Sequence, residues 1–149
     1  MTAQVQQGGS DAGALVPCDR KRILIVDDEQ SIRDILFRVM SMHLSDCRVD
    51  LAVNGIEAFD VFREAHPGIL VMDVKMPKRS GDEAFLDIQK YCRKNNWEMP
   101  SVVFVSGYSS EDINRLIEGD PRHCILRKPV HQADLLAKLR ERLGNNNNG

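Results

Sequence analysis

Five times along the chain a short apolar run gives way to a longer segment in which apolar side chains return every three or four positions. Residues 23–26 (Ile-Leu-Ile-Val), 69–72 (Ile-Leu-Val-Met) and 102–105 (Val-Val-Phe-Val) are continuous apolar runs, the pattern of strands buried on both faces. Residues 49–53 alternate, with Val49, Leu51 and Val53 against Asp50 and Ala52, and residues 124–127 are a fifth short run. Between them the spacing predicts helices. The first opens at Ser31 and carries Ile32, Ile35, Leu36, Val39 and Met40. The second spans 56–65 and stops before His66-Pro67-Gly68, and the third runs from Gly81-Asp82 to about residue 93. A shorter helix covers 111–118 and ends at Gly119-Asp120-Pro121. The last covers 132–143, with Leu135, Leu136 and Leu139 inward, and ends at Gly144.

Crossovers of this length cannot be hairpins. Strand and helix repeated five times therefore predict an α/β fold, a doubly wound parallel sheet with helices on both faces. Its folded part starts at about Lys21, so residues 21–144 form the domain. Residues 1–20, rich in Gln, Gly, Ser and Ala, read as a disordered tail, and residues 145–149 as a second tail or a linker remnant.

Composition narrows the function classes. A length of 149 residues gives room for one domain, and a net charge of −2 argues against direct nucleic-acid binding. No apolar run approaches the ~20 residues of a membrane helix, and the N-terminus lacks the order of a signal peptide, so the expected location is cytoplasmic. Cys18, Cys47, Cys92 and Cys124 are scattered and read as reduced structural thiols. The four histidines form no zinc spacing, and no phosphate-binding glycine loop is present. Trp97 reads as a lid over core, and the charged stretch 79–83 as a solvated helix entry.

The chemistry lies at the strand ends. Strands one, three, four and five deliver Asp27 and Asp28, Asp73, Ser106 and Lys128 to one edge of a parallel sheet. Singly, each reads as a turn residue; together they form a pocket. Two carboxylates ~5 Å apart repel by roughly 3 kcal/mol at an effective dielectric near 20, so the cluster calls for a cation. An all-oxygen ligand set suits Mg²⁺, and a carboxylate beside a metal, an ammonium and a hydroxyl can act as nucleophile and become an acyl phosphate.

Val26-Asp27-Asp28-Glu29, Met72-Asp73-Val74-Lys75-Met76-Pro77 with Gly81 eight residues beyond Asp73, Val105-Ser106-Gly107 and Arg127-Lys128-Pro129 together resemble the receiver domain of two-component response regulators, over residues 22–143. The resemblance implies a flavodoxin-like (βα)5 sheet in order 2-1-3-4-5. It implies that Asp73 accepts a phosphoryl group from a phosphohistidine on a histidine kinase or histidine phosphotransfer protein. Asp28, Asp73 and the Lys75 carbonyl would bind Mg²⁺, Asp27 would hold its water shell, Lys128 would pair with phosphoryl oxygens, and Ser106 would hydrogen-bond to one. Such a chain is no conventional enzyme: it catalyses its own phosphorylation and dephosphorylation, and so switches a surface for a downstream protein target or output domain. The helix 111–118, strand 124–127 and helix 132–143 offer the expected partner or homodimer face. Ile125 stands where the family often has an aromatic switch residue, and Lys75 and Tyr108 flank the expected phosphoryl group. Competing readings are a fragment of a larger regulator, an interaction module with an idle pocket, and a haloacid-dehalogenase-type phosphatase. The last wants a second Asp where Lys75 stands.

Overall fold

In a computed structural model that describes residues 14–107 and 111–148, strands and helices alternate along the chain. They are β1 (Asp19–Val26), α1 (Gln30–His43), β2 (Arg48–Ala52), α2 (Gly55–Ala65), β3 (Pro67–Asp73), α3 (Gly81–Asn95), β4 (Ser101–Ser106), α4 (Glu111–Ile117), β5 (Cys124–Arg127) and α5 (Gln132–Asn148). All strand pairs are parallel, in the order β2-β1-β3-β4-β5, as the resemblance implies.

Each continuous apolar run serves two cores, because successive side chains point to opposite faces. Leu24, Val26, Leu70, Met72, Val102 and Phe104 pack against Ala58 and Phe62 of α2 and Phe85 and Ile88 of α3. Ile23, Ile25, Ile69, Val71 and Val103 pack on the other face against Val39 and Met40 of α1 and Leu135, Leu136 and Leu139 of α5. Trp97 does act as a lid: its ring stacks on His66 at 4.1 Å and meets Tyr91 at 5.0 Å and Phe62 at 5.6 Å. Among the described residues no helix is long and apolar enough to cross a membrane. The four cysteines are unbridged, and burial pushes the Cys18 thiol up to about 12 and that of Cys92 to about 11, which keeps both protonated.

Three boundaries differ from the sequence pattern. The folded part begins before Lys21, inside the stretch read as a tail. Residue Val16 bridges to Trp97, accepting from Glu98 N–H at 2.8 Å and donating to the Asn96 carbonyl at 2.9 Å. The Cys18 backbone N–H and Sγ then donate to Glu98 Oε1 at 3.0 and 3.1 Å. The partner is a loop some 80 positions away, which no local pattern reveals; the rest of the proposed tail, residues 1–13, lies outside the described residues. The helix end at Gly144 is also corrected, since the backbone of α5 stays helical to Asn148. A glycine stops a helix by turning left-handed; among the described glycines only Gly119, with φ +80°, does so. Finally, β3 begins at Pro67, two residues before the apolar run 69–72, because His66 takes the left-handed cap (φ 45°).

One buried histidine gives the fold a pH dependence. The His123 side chain is 2% exposed, its Nδ1 accepts from Val102 N–H at 3.0 Å, and its Nε2 faces the Asp120 carboxylate at 3.3 Å. Burial pushes the imidazole from 6.5 down to about 4, although Asp120, itself held near 2 by hydrogen bonds from Arg122, pulls it back up. The unfolded chain therefore takes up this proton first as pH falls. Stability is intact above about pH 6.5, drops by about 1.4 kcal/mol per unit below it, and levels near pH 4. Urea unfolding of wild type and His123→Asn across pH 7.5–4.5 checks this. The wild type should lose stability over that window and the variant should lack this component; parallel curves would refute it.

Candidate functional site

The register of the sheet assembles the site. Val26 pairs with Met72, Asp73 with Val105, and Ser106 with Arg127, so Asp27, Asp73, Ser106 and Lys128 follow one another across the carboxyl edge. The ligand oxygens of Asp27, Asp28 and Asp73 all lie within 4.8 Å of one another. Asp27 and Asp73 are buried, Asp28 is exposed, and Lys128 Nζ stands 3.4 Å from Asp73 Oδ2. The Lys128 backbone N–H donates to the Ser106 carbonyl at 2.8 Å, which ties the ends of β4 and β5 together.

Asp27 is held at several points. Its N–H donates to the Ala52 carbonyl at 3.1 Å, its Oδ1 accepts from Glu29 N–H at 2.9 Å, and its carbonyl accepts from Arg33 Nη1 at 2.6 Å. Burial pushes its carboxyl above the usual range and the Asp73 charge adds to this, while the Glu29 N–H opposes both. Burial likewise raises the Asp73 carboxyl, against the pull of Lys128 and of the Lys75 backbone N–H. Both acids are therefore short of positive charge.

The loop from β3 to α3 is braced from outside. Ser80 caps α3 through a reciprocal capping box with Glu83. Arg79 forks onto Asp87 at 2.9 and 3.0 Å, and its carbonyl accepts from Gly55 N–H at 2.9 Å. The stretch 79–83 is thus a partnered helix entry rather than a merely solvated one. Gly81 N–H donates to the Val74 carbonyl at 2.8 Å. On the opposite side, α1 and α5 leave a cavity of about 580 Å³ whose walls include Ile32, Leu36, Val130 and Leu135 and which reaches Asp73 and Lys128.

The structure brings Asp27, Asp28, Asp73 and Lys128 together, and Ser106 is buried at the same edge. Lys75 lies two residues beyond Asp73 with its side chain exposed. Ile125 sits opposite Phe104 and packs against the α2–α3 core. Tyr108 lies outside the described residues. Arg33 was not singled out by its sequence; the available signal is a basic residue in the first turn of a helix, where the dipole favours acids.

Three carboxylates and one ammonium leave two negative charges, two of the acids are desolvated, and every ligand atom is a hard oxygen. That set fits a divalent ion. A carboxylate so placed can attack an electrophile whose developing charge the ion and the ammonium stabilise.

Residues 23–140 match the family model described as the response regulator receiver domain. Response regulator MprA of Mycobacterium avium (strain 104) is 34% identical over 120 residues, 80% of this chain and 49% of that protein. The chain thus spans about half the length of the curated relatives it matches. A CheY-like response regulator receiver domain protein from Methanospirillum hungatei JF-1 superposes with a TM-score of 0.71 and 26% identity, over 87% of this chain and 98% of that one. The receiver domain of Ssk1 from Saccharomyces cerevisiae, crystallised with the histidine phosphotransfer protein Ypd1, shares the fold with a TM-score of 0.70 at 24% identity, over 86% and 90% of the two chains.

Proposed function

The chain belongs to the response regulator receiver family, and on that premise we propose that Asp73 is its phosphoacceptor, charged by a phosphohistidine on a histidine kinase or phosphotransfer protein. The observation that carries this is the convergence of three carboxylates within 4.8 Å, with Lys128 3.4 Å from Asp73. An Asp73 oxygen attacks phosphorus, the bond from phosphorus to the donor nitrogen breaks, and the imidazole keeps the electron pair. Lys128 meets the charge that grows on the phosphoryl oxygens, and the Ser106 hydroxyl donates to one of them. Asp28, Asp73 and the Lys75 carbonyl would hold Mg²⁺, Asp27 would hold its water shell, and the ion would supply the remaining neutralisation. Hydrolysis of the acyl phosphate at the same site resets the protein, at a rate set by Lys75 and Tyr108.

Read-out passes through α4, β5 and α5 to a downstream protein or output domain, or to a second copy of the chain. Ile125 has no hydroxyl to turn inward, so Ser106 and the segment after it carry the change. The receiver unit reaches from the bridge at Val16 into α5.

Intact mass after incubation with acetyl phosphate and Mg²⁺ tests the reading: one phosphoryl group (~80 Da) should be gained, and EDTA should prevent it. No gain from acetyl phosphate or from a phosphorylated histidine partner, together with no Mg²⁺ binding by calorimetry, would leave only an interaction module with an idle pocket.

A further inference from the structure

Arg33 occupies a position that local electrostatics disfavours. It lies in the first turn of α1, where unpaired N–H groups make the helix end partly positive. That turn contains no acidic residue, and the N-cap Glu29 makes no side-chain capping bond. The Arg33 backbone N–H closes the first turn on the Glu29 carbonyl at 3.1 Å, while its side chain folds back so that Nη1 donates to the Asp27 carbonyl at 2.6 Å. A charge-assisted bond of that length fixes the peptide between Asp27 and Asp28.

We infer that Arg33 is a positioning residue for the acidic pocket: by holding the Asp27 carbonyl it sets the orientation in which Asp27 and Asp28 meet the metal ion. This rests on the metal site proposed above. The corner from β1 into α1 has few other restraints of this kind. The Asp27 N–H is tied to β2 through Ala52 and the Asp27 carboxylate to the Glu29 N–H. Without Arg33 the carbonyl between those two ties is released, and Asp28, which is exposed, follows the peptide plane. Arg33 touches neither carboxylate in this arrangement; it acts on them through the backbone.

Charge and position make opposite predictions, which makes the inference testable. A guanidinium near three carboxylates competes with a bound cation, so on charge alone Arg33→Ala would tighten Mg²⁺ binding. As a positioning residue its loss weakens binding, by about tenfold, the lower end of what outer-shell partners of metal ligands contribute. Calorimetric titration of Mg²⁺ into the full chain at low ionic strength separates the two. Arg33→Ala should bind about tenfold more weakly, and Arg33→Lys, which keeps a cationic donor, should recover most of the loss. Urea unfolding of the metal-free proteins controls for folding. If Arg33→Ala lowers metal-free stability but leaves the Mg²⁺ affinity unchanged, the residue is structural only and the inference falls. Tighter binding would overturn it equally. Failure of wild type itself to bind Mg²⁺ would remove the metal site and this inference together, whereas a binding wild type with an unaffected Arg33→Ala would sink the inference alone.

Discussion

Asp73→Asn should take up no phosphoryl group and, without metal, should unfold at higher urea than wild type. The first half follows from chemistry, because an amide oxygen is too weak a nucleophile to replace the carboxylate. The second follows from the electrostatics of the pocket. Asp73 is 6% exposed and lies within 4.8 Å of two other acids, and burial raises its carboxyl above 3.8. An acid raised in the fold binds more protons there than in the unfolded chain. Its ionisation therefore subtracts stability as pH climbs through the raised value, and the deficit persists at pH 7. Asn keeps the shape and leaves an oxygen for the Lys128 ammonium and the Lys75 N–H while removing the charge. The gain should be present in full at pH 7 and shrink toward zero near pH 3, where the wild-type acid is already protonated. Mg²⁺ should reverse the ranking, since it stabilises only the protein that binds it. Urea curves with and without Mg²⁺, paired with intact mass, measure both halves. A variant less stable than wild type without metal would show that the Lys128 contact outweighs the repulsion.

The sheet and the pocket were legible in the sequence for one shared reason. A parallel strand buried on both faces must be apolar throughout, so 23–26, 69–72 and 102–105 declare themselves, and the first polar residue after each run marks the carboxyl edge. Asp27, Asp73 and Ser106 are those residues or adjoin them, and parallel pairing brings them together without any knowledge of loops. What escaped depends on partners remote in sequence. Residues 14–18 are ordered because Trp97 and Glu98 receive them, and Glu98 also binds Arg20 at 3.2 Å. Likewise His123 is neutral because burial against Val102 and Phe85 outweighs the pull of the Asp120 carboxylate, a fact that a lone histidine in a sequence does not carry. Gly144 misled in the other direction: glycine permits a helix to end but does not compel it.

Two glycines show how the same residue type can be indispensable in one place and merely tolerated in another. Gly81 opens α3 against the backbone at the carboxyl end of β3, the strand that carries Asp73. A Cβ added there would lie 2.3 Å from the Asp73 carbonyl oxygen and 3.1 Å from Val74 Cα. Real Cβ contacts stay beyond 3.0 Å, and neither atom belongs to a side chain that could rotate away. The backbone φ of Gly81 is not positive, so alanine meets no conformational bar, and the contact alone decides the sign. Relief requires the β3–α3 junction to move, although Val74 N–H is bonded to the Val105 carbonyl and Gly81 N–H to the Val74 carbonyl. Gly81→Ala should therefore cost about 1–3 kcal/mol, the range of an overpacked interior. It should also slow phosphorylation of Asp73 by about 10²-fold, since a reacting group displaced by ~1 Å loses that much. By contrast, a Cβ on Gly144 meets nothing within 4 Å inside α5, so Gly144→Ala should gain up to about 1 kcal/mol and leave the rate unchanged. Denaturation midpoints and phosphorylation rates of the two variants, measured side by side, test the pair. If Gly81→Ala matched wild type in both, the Asp73 backbone would have room to yield without moving its carboxylate, and the tight junction would not be what aims Asp73.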